Sequence, residues 1–488
     1  MTLSRTTTEQ VAFGSCLDPK VFVARSPSAA YRHLSGVSFP EFPSEPTITT
    51  SLVALRELLN SACWDVERYG EKTWNPLGSI VPPGARVLLK PNWVRHPVPG
   101  RDDGDSLVTH THVIDALLAY LTKVPDCRVI IGDAPIQGCN FEKLLAVNGI
   151  TDMVARHAGR FTKLEVVDFR KTVLGREGQD GRVRRDCRGD EHFVLFDLGS
   201  DSLLEAVTTP EPRFRVTVYN PDHLARTHHP GRHQYLVAKE VLEADVVFNL
   251  PKLKTHKKAC LTGALKNMVG INGHKEYLPH HRLGGTADGG DCYPGKSRLK
   301  ALAERLLDAG NRTEHRRKMR LASLVAGVSL HLNQLLGGDD NLEGSWFGND
   351  TVWRMCLDLQ RILHYGKTDG TLAATPQRTV LTITDAVIAG QGEGPLSPTP
   401  CPMGLLTLGR STAAVEYVHA LIMGLDPARI PLVLESLTLR EWPLITGGTD
   451  QIRVCWSGRW LLPHAAGREL RTRVIPPKHW QGHCELAD

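Results

Sequence analysis

Short apolar runs alternate with amphipathic stretches along the chain. Residues 51–69 place Leu52, Leu55, Leu58 and Leu59 on one face of a predicted helix. PPG at 82–84 punctuates, and RVLLK at 86–90 reads as a buried strand. Residues 112–124 form a predicted helix and CRVIIGD at 127–133 a second apolar strand. Strand, helix and strand with short connections predict a parallel βαβ unit. Further on, 141–160 read as helical and LEVVDF at 164–169 as a third strand. Residues 175–192, charged and rich in glycine, read as an exposed loop.

The second half continues the alternation. YLVAKEVLEAD at 235–245 is expected to be a helix running into a buried strand, VVFNLP at 246–251. A glycine-rich loop is expected over 282–297, and mostly helix over 298–336. In 349–366 Val352, Met355, Leu359 and Ile362 fall at helical spacing, with Asn349 or Asp350 as N-cap and Arg354–Asp358 as a surface ion pair. Residues 378–390 read as a strand entering a glycine-rich turn, 412–424 as a helix stopped by Gly424, and 452–456 as a late strand. Residues 1–50, rich in Ser, Thr and Pro, show little periodicity and read as an irregular arm.

Composition narrows the class. The chain has 488 residues, which favours about three domains as a prior and allows one or two large ones. Hydrophobic residues make up 41% and charged residues 23%, which excludes a disordered or fibrous chain. A net charge of +5 over this length is too weak to argue for nucleic acid. No run of 18 apolar residues offers a membrane span, and the first residues lack the apolar core of a secretory signal, so a cytoplasmic protein is expected. None of the eleven cysteines lies within four residues of another, which leaves no CxxC zinc pair or ferredoxin-type run and suits reduced, buried thiols.

Candidate chemistry concentrates at 251–275, PKLKTHKKACLTGALKNMVGINGHK. This segment holds Lys252, Lys254, Lys257, Lys258, Lys266 and Lys275 with His256 and His274, and no acid. It follows a buried strand, at the end where open α/β sheets place their ligand crevice. Thr262 and Gly263 are expected to open a helix whose free N–H groups favour a phosphate or carboxylate. The other reading is a solvated basic loop. Lys90 and Asn92 in KPNWV end the first strand, and Asn92 either meets a ligand or caps the turn. Asp133 sits likewise after its own strand, as a ligand contact or an N-cap. His280 and His281, followed by Asp288 and Asp291, could bind a divalent ion or hydrogen-bond a substrate. Asp385 and Glu393 in TDAVIAGQGEGP could hold a cation, form an acid/base pair, or neutralise lysines. No GxxxxGK[ST], GxSxG, HExxH or early GxGxxG occurs, so nucleotide-hydrolase, serine-hydrolase, zincin and Rossmann readings lack support.

Taken together, VLLKPNWV, IIGDAP, ADVVFNLPKLKTHKKACLTGALKNMVGINGHKEYLPHH, GNDTVWRMCLDL and TDAVIAGQGEGP with a following MGLDP resemble the domain of unknown function family 362. The resemblance runs from about residue 85 to about 432. Some members carry an iron–sulfur segment, and this chain lacks the cysteines for one. The branch without clusters, associated with biosynthetic gene neighbourhoods, implies a small-molecule or sugar-related enzyme. Two positions depart from the family pattern: Gln391 stands where an acid is usual, and Glu416 where an Asp is usual.

The expectation is an α/β protein with a largely parallel sheet flanked by helices. An irregular arm (1–50) precedes a core (51–440), and an extension (441–488) follows it. The motif blocks should converge at one sheet edge. The expected function is an enzyme acting on a phosphorylated or carboxylated small molecule, with or without a divalent metal. Lys252, Lys254 and Lys266 would neutralise the anion, and His256 would be the general acid/base. Asp385 and Glu393 would hold the cation or form a second acid/base group. Lys90, Asn92, Asp133, Thr262, Asn267, His280 and His281 would line the substrate. The alternative is a non-catalytic carrier of an anionic metabolite. Nucleic acid is disfavoured by the lack of aromatics among the lysines, and no membrane partner is expected.

Overall fold

The computed structural model describes residues 17–43, 48–98, 100, 104–174, 184–217, 219–313 and 315–487. Its elements, in chain order, begin with β1 (Lys20–Arg25), α1 (Thr50–Ser61), β2 (Arg86–Pro91), α2 (Thr111–Leu121), β3 (Arg128–Asp133) and β4 (Lys163–Asp168). The middle of the chain supplies β5 (Val246–Leu250), β6 (Lys252–His256), β7 (Cys260–Thr262), α3 (Arg298–Asn311), α4 (Arg316–Leu335) and α5 (Val352–Tyr365). The last part adds β8 (Thr379–Glu393), β9 (Ser397–Gly409), α6 (Thr412–Ile422), β10 (Arg453–Trp456) and β11 (Arg459–Leu461).

One 11-stranded sheet runs in the order β11-β10-β1-β9-β8-β5-β2-β3-β4, with β6 on β8 and β7 on β6. The half from β8 to β4 is parallel throughout, as the βαβ pattern predicts. Antiparallel pairings of β9 with β8 and with β1 carry the sheet onward. The two-residue period of the strands splits the core in two. Phe22, Val87, Leu89, Phe248 and Leu381 face the side covered by α1 and α2. Val21, Leu88, Val247 and Val380 face the side covered by α5 and α6.

Several sequence expectations need correction. The arm is not irregular throughout, because β1 lies inside the sheet between β9 and β10. Part of it (1–16, 44–47) and of the 175–192 loop (175–183) lies outside the described residues. The helix expected over 235–245 holds only in its second part: Lys239–Glu243 is helical, whereas Tyr235–Ala238 belongs to a strand, Arg232–Ala238, that pairs with Phe193–Asp197. Tyr235 and Val237 suit a ladder, and a partner strand overrides their helical spacing. Asp358 is not on the surface. It is buried and accepts from Ser202 Oγ at 2.5 Å and Tyr235 Oη at 2.9 Å, while Arg354 pairs with Asp350 at 3.1 Å. The N-cap of α5 is Thr351 and not Asn349 or Asp350, although Asn349 Oδ1 accepts from the N–H groups of Thr351 and Val352 at the helix start.

Candidate functional site

The lysine segment is a strand and not a loop. Pro251 lacks an N–H and interrupts β5, but its carbonyl accepts from Asp385 N at 2.9 Å, and the chain resumes beside β8 as β6. Alternation along β6 puts Lys252, Lys254 and His256 on one face and Leu253 and Thr255 on the other. The helix expected from Thr262 is absent: Thr262 ends β7, opposite Lys254, and a six-residue 3-10 turn follows at Lys266–Ile271. Gly263 serves close approach instead, since a Cβ there would lie 2.1 Å from Glu416 Oε2. Glu416 is buried beneath that turn and accepts from Ala264 N at 2.7 Å and His419 Nδ1 at 3.1 Å.

Two of the predicted lysines are already neutralised. Lys90 Nζ reaches Asp133 Oδ1 at 2.8 Å, Pro91 O at 2.6 Å and Asn267 Oδ1 at 3.0 Å, which uses its three protons. Asn267 returns two bonds, to Lys90 O and Asn249 Oδ1, and so clamps β2 to β5. Asp133 also accepts from Trp93 N at 2.6 Å. Lys252 Nζ lies 2.8 Å from Asp385 Oδ2, 2.6 Å from Tyr31 Oη and 3.1 Å from Ile388 O. Asp385 further accepts from Tyr31 Oη at 2.5 Å and His110 N at 2.9 Å. Both ion pairs are fully engaged and hold the structure together.

The other cations differ. Lys254 is buried, and its Nζ donates to Leu107 O, leaving two protons without a partner among the described residues. Lys266 is 8% exposed, and no hydrogen bond or carboxylate pairs with its Nζ among the described residues. Burial is the main cause that lowers Lys254, Lys258, Lys275, His256 and His280, and the charge of Lys266 adds to it in each, so Lys266 stands amid a basic group. Burial lowers Lys266 itself, opposed by Cys356, a thiol that burial pushes up to about 11 and so keeps neutral. Lys275 donates to Ala134 O at 2.7 Å and is brought down to about 8, chiefly by burial. Thr262 Oγ1 and Asn92 Oδ1, both buried, have no partner among the described residues.

The histidines are neutral donors or acceptors here. Burial, then Lys266, holds His256 well below the usual imidazole range. Its Nδ1 accepts from the N–H groups of Lys258 at 3.0 Å and Ala259 at 3.2 Å, so the proton sits on Nε2. That removes Nδ1 as a general base and leaves Nε2–H as the free position of the ring among the described residues. His280, half-buried, and His281, buried, are lowered in the same way, His280 by burial of its ring and Lys266, His281 by burial and Lys258.

Asp385 and Glu393 do not converge. They lie eight residues apart on one continuous strand, roughly 25 Å at strand rise. Glu393 sits at the hairpin end opposite Ser397, where its Oε2 pairs with Lys257 at 2.7 Å and its Oε1 accepts from Lys478 N at 2.8 Å. Partial burial would raise this carboxyl, but Lys257 outweighs it and holds it low. A shared cation is therefore excluded by distance. No group of three His, Cys, Asp or Glu side chains able to hold a metal occurs among the described residues. Gln391 accepts from Ile475 N at 3.0 Å and so fastens the C-terminal extension.

Sequence reasoning missed Tyr31 and His110, whose rings stack at 3.6 Å above the Lys252–Asp385 pair. Neither stood out, because Tyr31 lies in an aperiodic stretch and His110 just before a helix. Lys275 was visible in the basic run but not separable from its neighbours. An open surface cavity of about 250 Å³ near Lys171 and Asp190 involves none of these residues, and its lysine is already paired with Asp190.

No helix among the described residues is long and apolar enough to cross a membrane. No solved structure matches the chain. It is 24% identical over 355 residues, 73% of this chain and 68% of the other, to the thylakoid-associated protein sll1697 of Synechocystis sp.. The family profile matches over a narrower span than 85–432, yet that span holds β6, Lys266, α5 and Asp385. Residues 204–420 match the family model of a domain of unknown function, DUF362.

Proposed function

We propose that the chain binds a phosphorylated or carboxylated small molecule against Lys254 and Lys266. One observation carries this reading: Lys266 is a largely buried lysine whose ammonium meets no carboxylate and no hydrogen-bond acceptor among the described residues, amid five other basic side chains. An uncompensated buried charge costs several kcal/mol, and a bound anion removes that cost. Thr262 Oγ1 and His256 Nε2–H supply neutral donors of the kind that orient an oxyanion. As an enzyme, the chain would use Lys254 for proton transfer, because burial and Lys252 favour its free amine. The carrier reading draws support from Asp385 and Glu393, each committed to an ion pair. We place the protein in the cytoplasm, where widely spaced thiols stay reduced. The relative's thylakoid association makes fractionation of cells the check on that placement.

The test is thermal denaturation with inorganic phosphate, pyrophosphate or citrate. Wild type should be stabilised in a concentration-dependent way, and Lys266→Met should lose the shift. No shift with any of the three, or an equal shift in the variant, would overturn the reading. Lys254→Met separates the two versions: an enzyme loses turnover of the anion so identified, while a carrier loses affinity only.

A further inference from the structure

The helices α3 and α4 form a hairpin whose inner face is small and polar. Gly310 brings α3 close enough that a Cβ there would meet Ala322 Cβ at 3.2 Å. Ser329 Oγ donates to Leu299 O at 2.8 Å, Ser297 Oγ meets Asn333 Oδ1 at 2.8 Å, and Met319 and Ala326 are buried. The adjacent face of α4 is another matter. Leu321, Val325, Val328, Leu332 and Leu335 are all exposed, and they recur at intervals of four, three, four and three residues. That is the seam spacing of paired helices. Leu324 and Leu336, 66% and 80% exposed, flank the seam. Seven such side chains expose on the order of 700 Å², above the ~300–600 Å² of the largest apolar patch on a typical monomer and near the ~800 Å² per partner of a standard interface.

We propose that this seam pairs α4 with α4 of a second copy, antiparallel about a two-fold axis at Val328. Residues equally distant from 328 then meet at one level, so Leu321 faces the second copy's Leu335 and Leu324 its Leu332. The charges agree with that register. Arg317, Lys318 and Arg320 are exposed at the start of α4, and residues 316–338 contain no acid. Asp339 and Asp340 follow the helix, with side chains still 43% and 37% exposed beside their partners Lys300 and Lys478. The antiparallel register brings Arg317 to the level of the second copy's Asp339, and opposes the two helix dipoles favourably. A parallel pair would set the basic ends against each other. Gly327, with open space where its Cβ would be, leaves room for a close approach. A lipid surface fits less well. It favours cations along the stripe and aromatic rings at headgroup depth, whereas here the cations stop at Arg320 and residues 316–336 contain no Trp, Tyr or Phe.

The test uses the full chain in sedimentation velocity across a hundredfold concentration range. Wild type should dimerise, and Val328→Arg, which sets two like charges on the axis, should weaken the dimer by at least a hundredfold with an unchanged circular dichroism spectrum. Val328→Cys should form a 328–328 disulfide under mild oxidation, mapped by peptide mass, whereas Leu321→Cys alone should not form its own symmetric bond. A wild type monomeric at all concentrations, a dimer that survives Val328→Arg, or flotation of the monomer with anionic vesicles would each overturn the proposal.

Discussion

Lys275 lies 9% exposed beneath the cluster, and burial lowers its ammonium from 10.5 to about 8. Below pH 8 both folded and unfolded chains hold the proton, and the folded state bears the whole penalty, about 3 kcal/mol. Between pH 8 and 10.5 the unfolded chain binds more protons, so this residue's contribution to stability rises with pH. Lys275→Gln removes the penalty and keeps a donor for Ala134 O. The variant should be more stable than wild type at pH 7.5, with an advantage that shrinks by about 2–3 kcal/mol by pH 10. Urea unfolding at both pH values measures it, and a pH-independent difference would refute the assignment. The basic run that holds Lys275 was legible from spacing alone. Its division was not: Lys252 is neutralised by Asp385, far away in sequence, while Lys266 meets no carboxylate among the described residues.

At the scale of elements, the turn from β7 to Lys266 decides where that ammonium points. Gly263 lies against Glu416 and His419 of α6, with a Cβ position 2.1 Å from one and 2.8 Å from the other. Gly263→Ala must push apart β7 and α6, both buried, at a cost of about 1–3 kcal/mol. Chemical denaturation should record that loss, and a change below about 0.5 kcal/mol would show that the turn yields freely. The parallel strands were readable because each is an apolar run between turn residues. The extended Arg232–Ala238 was misread in part as helix, since hydrophobic spacing over a few residues fits helix or strand until a partner strand is present, and β6 was not read as a strand because its lysines leave it almost no apolar alternation.

Across the whole molecule, chain ends meet the centre. Tyr31 carries the N-terminal stretch onto Lys252 and Asp385, and the C-terminal extension reaches the far end of β8, where Gly392 N donates to Ile475 O at 2.7 Å. Tyr31→Phe removes one hydroxyl shared by both members of a buried ion pair, which should cost about 1–3 kcal/mol. It should also speed proteolysis within 17–43, and an unchanged cleavage rate would show that the ring stack with His110 holds this segment by itself. None of this was visible beforehand, because residues 1–50 show no period and their order comes from partners hundreds of residues away.

The place of β1 has a consequence in time. Its two neighbours are β9 and β10, so it pairs with nothing until residue 409 has been made, and is closed on both sides only after 456. At about 5–20 residues per second, the ribosome leaves this apolar strand waiting for tens of seconds. During synthesis its six residues are therefore made long before they are sheltered, which makes Lys20–Arg25 the natural holding point for a chaperone.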